Sequence, residues 1–195
     1  MSVNKLDTLE VSGTPEDIGF AIGQTDADSI QHQILSLAEF RGTERTWQSS
    51  SYLQELLTAA RYFFPEYVLE LEGMARGTQV EYETLLVWNY RGDLPLSDDA
   101  IPESAKHFPE GCTTFLYPAA KSSVAVIAHN EDGPPELDGH CSWFSVRQEN
   151  GSKFSTFHYP GMLPGHTLSV NSHGLVQTIN NIRVDDLQSG IPHWC

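Results

Sequence analysis

Cys112 stands in Glu110-Gly111-Cys112-Thr113-Thr114, between a loop rich in Pro, Ser and Asp and a run of β-forming residues. A thiol directly after glycine has a specific chemical use. Glycine admits strained backbone conformations, so the sulfur can reach the preceding carbonyl. Attack of Cys112 on the Gly111 carbonyl would move the acyl bond from nitrogen to sulfur, and hydrolysis of that thioester would leave Cys112 as a new amino terminus. Its α-amine, with a reference pKa of roughly 7.7–8.0, is then a general base carried by the nucleophile's own residue. No histidine partner is required. The competing reading is a structural cysteine, because unbridged Cys side chains are commonly buried as small hydrophobes.

Other chemistries fail on spacing. Glu131, Asp132, Glu136, Asp138 and His140 crowd one acidic stretch, but in neither the Asp-x-Asp-x-Asp-Gly order of a calcium loop nor the HExxH order of a zinc site. That stretch reads as a solvated loop, and neither a metal nor a cofactor is expected. If it borders the site, its charge would favour a cationic amine as substrate. The string EGCTTFLY lacks the local signature of papain-like cysteines.

The elements that must position Cys112 change character near residue 111. Upstream the apolar period is helical. Ile18, Ala21 and Ile22, then Ile30, Ile34 and Leu37, recur at spacings of three and four behind the start signal Thr14-Pro15-Glu16-Asp17. A second helix is expected from Tyr52 to Phe64, with Pro65 ending or restarting it. A third carries Val68, Leu69, Leu71 and Met74 and closes at Gly77, and a fourth over 82–90 sets Leu85, Leu86 and Trp88 near one face. Residues 92–111 read as a connecting loop. Downstream, strands are expected at 113–117, 123–129, 142–148, 153–159, 166–170 and 174–180, with hairpin connections at Glu149-Asn150-Gly151-Ser152 and Asn171-Ser172-His173-Gly174. Helices followed by an antiparallel sheet predict an α+β protein rather than alternating βαβ units. Composition does not make residue 111 a boundary: a helical segment 1–111 and a β segment 112–195 are expected to form one domain.

The 195 residues include 11 basic and 26 acidic side chains, a net charge of −15, and 39% are apolar. This is enough apolar matter for a core, so disorder is excluded. The charge argues against a nucleic-acid partner, which requires clustered Lys and Arg. Three cysteines, Cys112, Cys141 and Cys195, make no disulfide framework and suit a reducing compartment. With no apolar run at the start and no run of eighteen anywhere, neither signal peptide nor membrane span is expected, and a cytoplasmic location follows as the expectation.

Five strings, in order, resemble the isopenicillin-N acyltransferase family of N-terminal-nucleophile cysteine hydrolases: SGTPEDIGFAIGQ at 12–24, LELEGMARGTQVEYETLLVWNYR at 69–91, EGCTTFLY at 110–117, AHNEDG at 128–133 and PGHTLSVNSHGLVQTINNI at 164–182. The resemblance implies an αββα sandwich, self-cleavage between Gly111 and Cys112, and transfer or hydrolysis of an acyl group at a linear amide through a thioester on Cys112. Asp132 matches the family's catalytic acid, in the role of orienting the Cys112 amine; as a residue it also suits a turn before Gly133. Asn180 and Asn181 fall where donors to an oxyanion are implied, against the plainer reading of a strand-ending Asn pair. Asn130 and Arg91 are implied near the substrate, with a turn residue and a salt-bridged surface arginine as their alternatives.

The resemblance stops after Gly190-Ile191-Pro192, whereas family members continue. A sandwich incomplete on its C-terminal side would expose apolar sheet surface and strand edges, which favours a homo-oligomer or a partner that completes the fold. The implied substrate is a small amide or acyl thioester. The alternative is a truncated, catalytically silent member that acts, if at all, through interactions.

Overall fold

The computed structural model describes residues 6–94, 112–119, 124–180 and 188–193. Gly111, Asn181, Cys195 and most of the expected 92–111 loop lie outside them. The chain opens with strand β1 (Asp7–Gly13), then helices α1 (Pro15–His32), α2 (Ala38–Trp47), α3 (Ser51–Phe63), α4 (Pro65–Thr78) and α5 (Tyr82–Tyr90). Strands β2 (Thr113–Tyr117), β3 (Val126–Asn130), β4 (Ser142–Gln148), β5 (Lys153–His158), β6 (Ser169–Asn171) and β7 (Val176–Gln177) follow. The protein is α+β.

α1 begins at the expected signal. The Thr14 hydroxyl accepts from the Asp17 amide at 3.2 Å and the Asp17 carboxylate accepts from the Thr14 amide at 3.1 Å, a capping box that holds the Asp17 carboxyl below its usual range. The expected periodicity through Leu37 is broken after His32 by a single 3-10 turn at Ile34–Ser36. α2 was not legible, because AEFRGTERTW supplies too few apolar residues for a period; Phe40 anchors it edge-on to Trp88 at 5.5 Å. α4 runs past the expected stop at Gly77 to Thr78, and the left-handed residue is Gln79, with φ 58°. Gly77 has another task. Gly19 and Gly23 on α1 face Gly73 and Gly77 on α4 so closely that a Cβ on Gly19 would strike the Glu70 carbonyl, and one on Gly73 the Glu16 carbonyl. α5 is buried on every side from Thr84 to Tyr90, rather than along one face.

The larger sheet has the order β1-β4-β5-β6-β7. All its pairs are antiparallel except β1 with β4, which run parallel, Leu9 opposite Phe144. This departs from the expected wholly antiparallel sheet, because β1 arrives from before the helices and fills an edge. Phe144 and Val146 of β4 and Thr156 and His158 of β5 turn one face toward the helices. There the His158 Nε2 meets the Asp26 carboxylate of α1 at 2.7 Å, and the same oxygen accepts from the Gly161 amide at 3.0 Å. The second sheet is the hairpin β2–β3, with Thr113 opposite Asn130 and Tyr117 opposite Val126.

Candidate active site

The hairpin register decides what surrounds Cys112. Residue numbers across β2–β3 pair so that Thr114 faces His129, and one step back Cys112 comes level with Glu131. Side chains alternate along strands, so Cys112, Thr114, His129 and Glu131 share one face. The Cys112 Sγ lies 3.7 Å from Glu131 Oε2, and His129 Nε2 lies 3.0 Å from the same oxygen. The Tyr159 hydroxyl, following β5, donates to Glu131 Oε1 at 3.3 Å. Burial first, then the Glu131 charge, pushes the Tyr159 phenol well up, so it stays a donor. Gly133 leaves room for that hydroxyl: a Cβ there would collide with it. The His129 side chain is only 2% exposed, that of Glu131 22%, and Cys112 is half-buried.

Asn180 ties the other side. Its Nδ2 donates to the Cys112 carbonyl at 2.6 Å, and its Oδ1 accepts from the Thr114 hydroxyl at 2.6 Å. One hydroxyl has one proton. With that proton on Asn180, Thr114 Oγ1 accepts from Thr178 at 3.0 Å and from His129 Nδ1 at 3.0 Å. His129 therefore donates from Nδ1 to Thr114 and turns Nε2 toward Glu131.

Of the residues expected from sequence, the structure brings Cys112 and Asn180 together. Asn130 and Asp132 pair with each other on the exposed rim, Nδ2 to Oδ1 at 2.7 Å, while the carboxylate on the sulfur is that of the residue between them. Arg91 lies over the Trp88 ring, 3.9 Å from its centroid, and donates to the Trp88 carbonyl at 2.6 Å and the Met162 sulfur at 2.8 Å. Its link to the site runs through Tyr159, whose phenol its charge pulls down. Gly111 and Asn181 lie outside the described residues. Sequence reasoning missed His129, Glu131, Thr114, Thr178 and Tyr159. The first three come together only through the β2–β3 register, which sets Thr113 opposite Asn130, and no local signal in the sequence fixes that register. Ligating atoms of Cys112, His129 and Glu131, which come from two strands, lie within 4.8 Å of one another. A cavity of about 490 Å³ lined by Gln31, Arg41, Glu44 and Thr84 opens among the helices instead, with none of these site residues in its lining.

The chain matches, over residues 119–195, the profile of the family described as acyl-coenzyme A:6-aminopenicillanic acid acyltransferase. It is also 31% identical over 199 residues to the beta-alanyl-dopamine/carcinine hydrolase of Drosophila melanogaster, an alignment covering 93% of this chain and 50% of that protein. The chain thus spans about half the length of the curated relative it matches. No helix among the described residues is long and apolar enough to cross a membrane.

Proposed function

We propose that this chain is an autoprocessed N-terminal-nucleophile cysteine amidohydrolase or acyltransferase, built on the αββα plan, that acts on a linear amide through a thioester on Cys112. The observation that carries the reading is the Cys112 thiol 3.7 Å from the Glu131 carboxylate, with Asn180 donating to the Cys112 carbonyl. Before cleavage there is no α-amine to act as base, and Glu131 takes the thiol proton. The thiolate attacks the Gly111 carbonyl, the carbon–nitrogen bond breaks as the carbon–sulfur bond forms, and the Cys112 nitrogen takes a proton to become an amine. Water then hydrolyses the thioester, leaving a Gly111 carboxylate and the Cys112 thiol.

In turnover the new α-amine serves as base, oriented by Asp132. The sulfur attacks the substrate carbonyl, Asn180 and Asn181 donate to the oxyanion, and the departing amine receives the proton. Asn130 and Arg91 hold the substrate. Water completes hydrolysis; a second amine completes transfer. For the substrate, the relative's name suggests a β-alanyl amide, and if the acidic stretch holding Asp132, Glu136 and Asp138 borders the site its charge suits the ammonium group. The reading places the protein in the cytoplasm.

The test is the mass of the purified chain followed by assay with carcinine. Two pieces split before Cys112, and release of β-alanine that Cys112→Ala abolishes, are expected; a chain that stays whole contradicts autoprocessing. A second reading is a catalytically silent member that acts by association, favoured by the apolar side chains Phe115, Leu116 and Val126, which are 59%, 62% and 47% exposed on the hairpin. Either reading allows a second copy or a partner to cover that hairpin.

A further inference from the structure

His129 sets its Nε2 3.0 Å from a carboxylate oxygen of Glu131, while the bonds through Thr114 and Asn180 engage its Nδ1 as a donor. Two electron-rich atoms at that distance require a positive centre between them, either a proton or a metal ion. A third donor, the Cys112 sulfur, stands 3.7 Å from the same oxygen. We propose that Cys112, His129 and Glu131 form a reversible site for a thiophilic divalent cation, Zn²⁺, which caps the thiol.

The geometry suits that ion. Tetrahedral zinc with bonds of about 2.0–2.3 Å sets its ligand atoms roughly 3.3–3.7 Å apart. The three donor atoms here all lie within 4.8 Å of one another, so small side-chain rotations complete the site, with water as fourth ligand. The charges balance: one thiolate and one carboxylate neutralise the ion, and the thiol proton leaves to solvent on binding. The atoms behind the ligands are held as metal sites hold them. His129 Nδ1 donates to Thr114, and Glu131 Oε1 accepts from Tyr159, so both ligands are oriented from outside the coordination sphere. Calcium and magnesium, which prefer six or more oxygens, are not matched by this S, N, O set. The spacing rules applied to the sequence are blind to it, because its ligands come from two strands of a hairpin.

The functional consequence rests on the proposed nucleophilic role of Cys112: an occupied site withholds the sulfur from the Gly111 carbonyl, so zinc would act as a brake on self-cleavage. Binding itself does not depend on that reading. The test is titration of the full chain with Co²⁺ under a non-thiol reductant, following the near-ultraviolet thiolate-to-cobalt absorption, with Zn²⁺ as competitor. One equivalent is expected to bind. Cys112→Ser should abolish the band and Thr114→Val should weaken binding about 10–100-fold, while both keep the wild-type circular dichroism. A wild type without the band, or a Cys112→Ser chain that keeps it, overturns the site. Should Cys112→Ser not fold, alkylation of the wild type decides: Zn²⁺ is expected to protect Cys112 from iodoacetamide, mapped by peptide mass, and unchanged modification refutes the proposal. A chain that binds cobalt yet never splits would sink autoprocessing and leave the metal site standing; a chain that splits without binding cobalt would do the reverse.

Discussion

Cys141 shows by contrast what Cys112 has around it. Its sulfur lies 3.5 Å from the Leu137 carbonyl, and burial first, then the charges of Asp138, Asp26 and Glu131, push the thiol up to about 11. It is therefore almost wholly protonated at neutral pH and a poor nucleophile. Alkylation of Cys141 in the folded protein is expected to stay slow through pH 8.5 and to accelerate only as pH approaches 11; a midpoint near 8.5 would contradict this electrostatic picture. Glu131 and Asp132 are separable in the same way. Glu131→Gln should slow self-cleavage at least about tenfold, since it removes the base facing the sulfur, whereas Asp132→Asn should spare cleavage and depress turnover. Equal cleavage rates in Glu131→Gln and wild type, timed by mass spectrometry, would remove Glu131 from the mechanism. Glu70 tests the core. It is 4% exposed, its Oε1 has no hydrogen-bond partner, and burial raises its carboxyl from 4.5 to about 8. The folded state thus holds a proton that the unfolded chain loses above pH 4.5, so stability falls as pH rises between 4.5 and 8, by up to about 1.4 kcal/mol per pH unit. Glu70→Gln should flatten that slope in urea titrations; an unchanged slope would mean another group sets it.

At the scale of elements, α1 and α4 approach through facing glycines, two on each helix. Alanine in place of glycine ordinarily favours a helix by about 1 kcal/mol. Here the sign should reverse: Gly19→Ala would set a methyl against the Glu70 carbonyl and lower stability by about 1–3 kcal/mol or more, read as a fall in the urea midpoint. A stabilised Gly19→Ala would show that the helices are not so close. These glycines also explain a misreading. Gly77 resembles a helix stop in sequence, and only the neighbouring helix reveals it as a packing residue. What was legible is what local chemistry controls: the Thr14 capping signal, the proline at the start of α4, and β4, whose alternation matches its bounds of Ser142–Gln148. What was hidden depends on pairing at a distance. The parallel partnership of β1 with β4, the polar helix α2, and the meeting of Glu131 with Cys112 each need a second segment that no local period announces.

At the scale of the whole molecule, the hairpin that carries the thiol is the least covered part of the described structure. Phe115, Tyr117 and Val126 share the face turned away from Cys112 and are 59%, 36% and 47% exposed. An open apolar face of this kind favours association. Light scattering of the purified chain is expected to report a dimer or larger species that Phe115→Glu shifts toward monomer; a strictly monomeric wild type would mean that this face needs no protein cover. The account depends most on bond scission at one place, and intact mass spectrometry reads it directly. Wild type should appear as two pieces, one ending at Gly111 and one beginning at Cys112, whose masses sum to the 21.7 kDa chain plus one water, while Cys112→Ala stays whole. A wild type that remains a single 21.7 kDa species, or a Cys112→Ala chain that still splits at that bond, would contradict it.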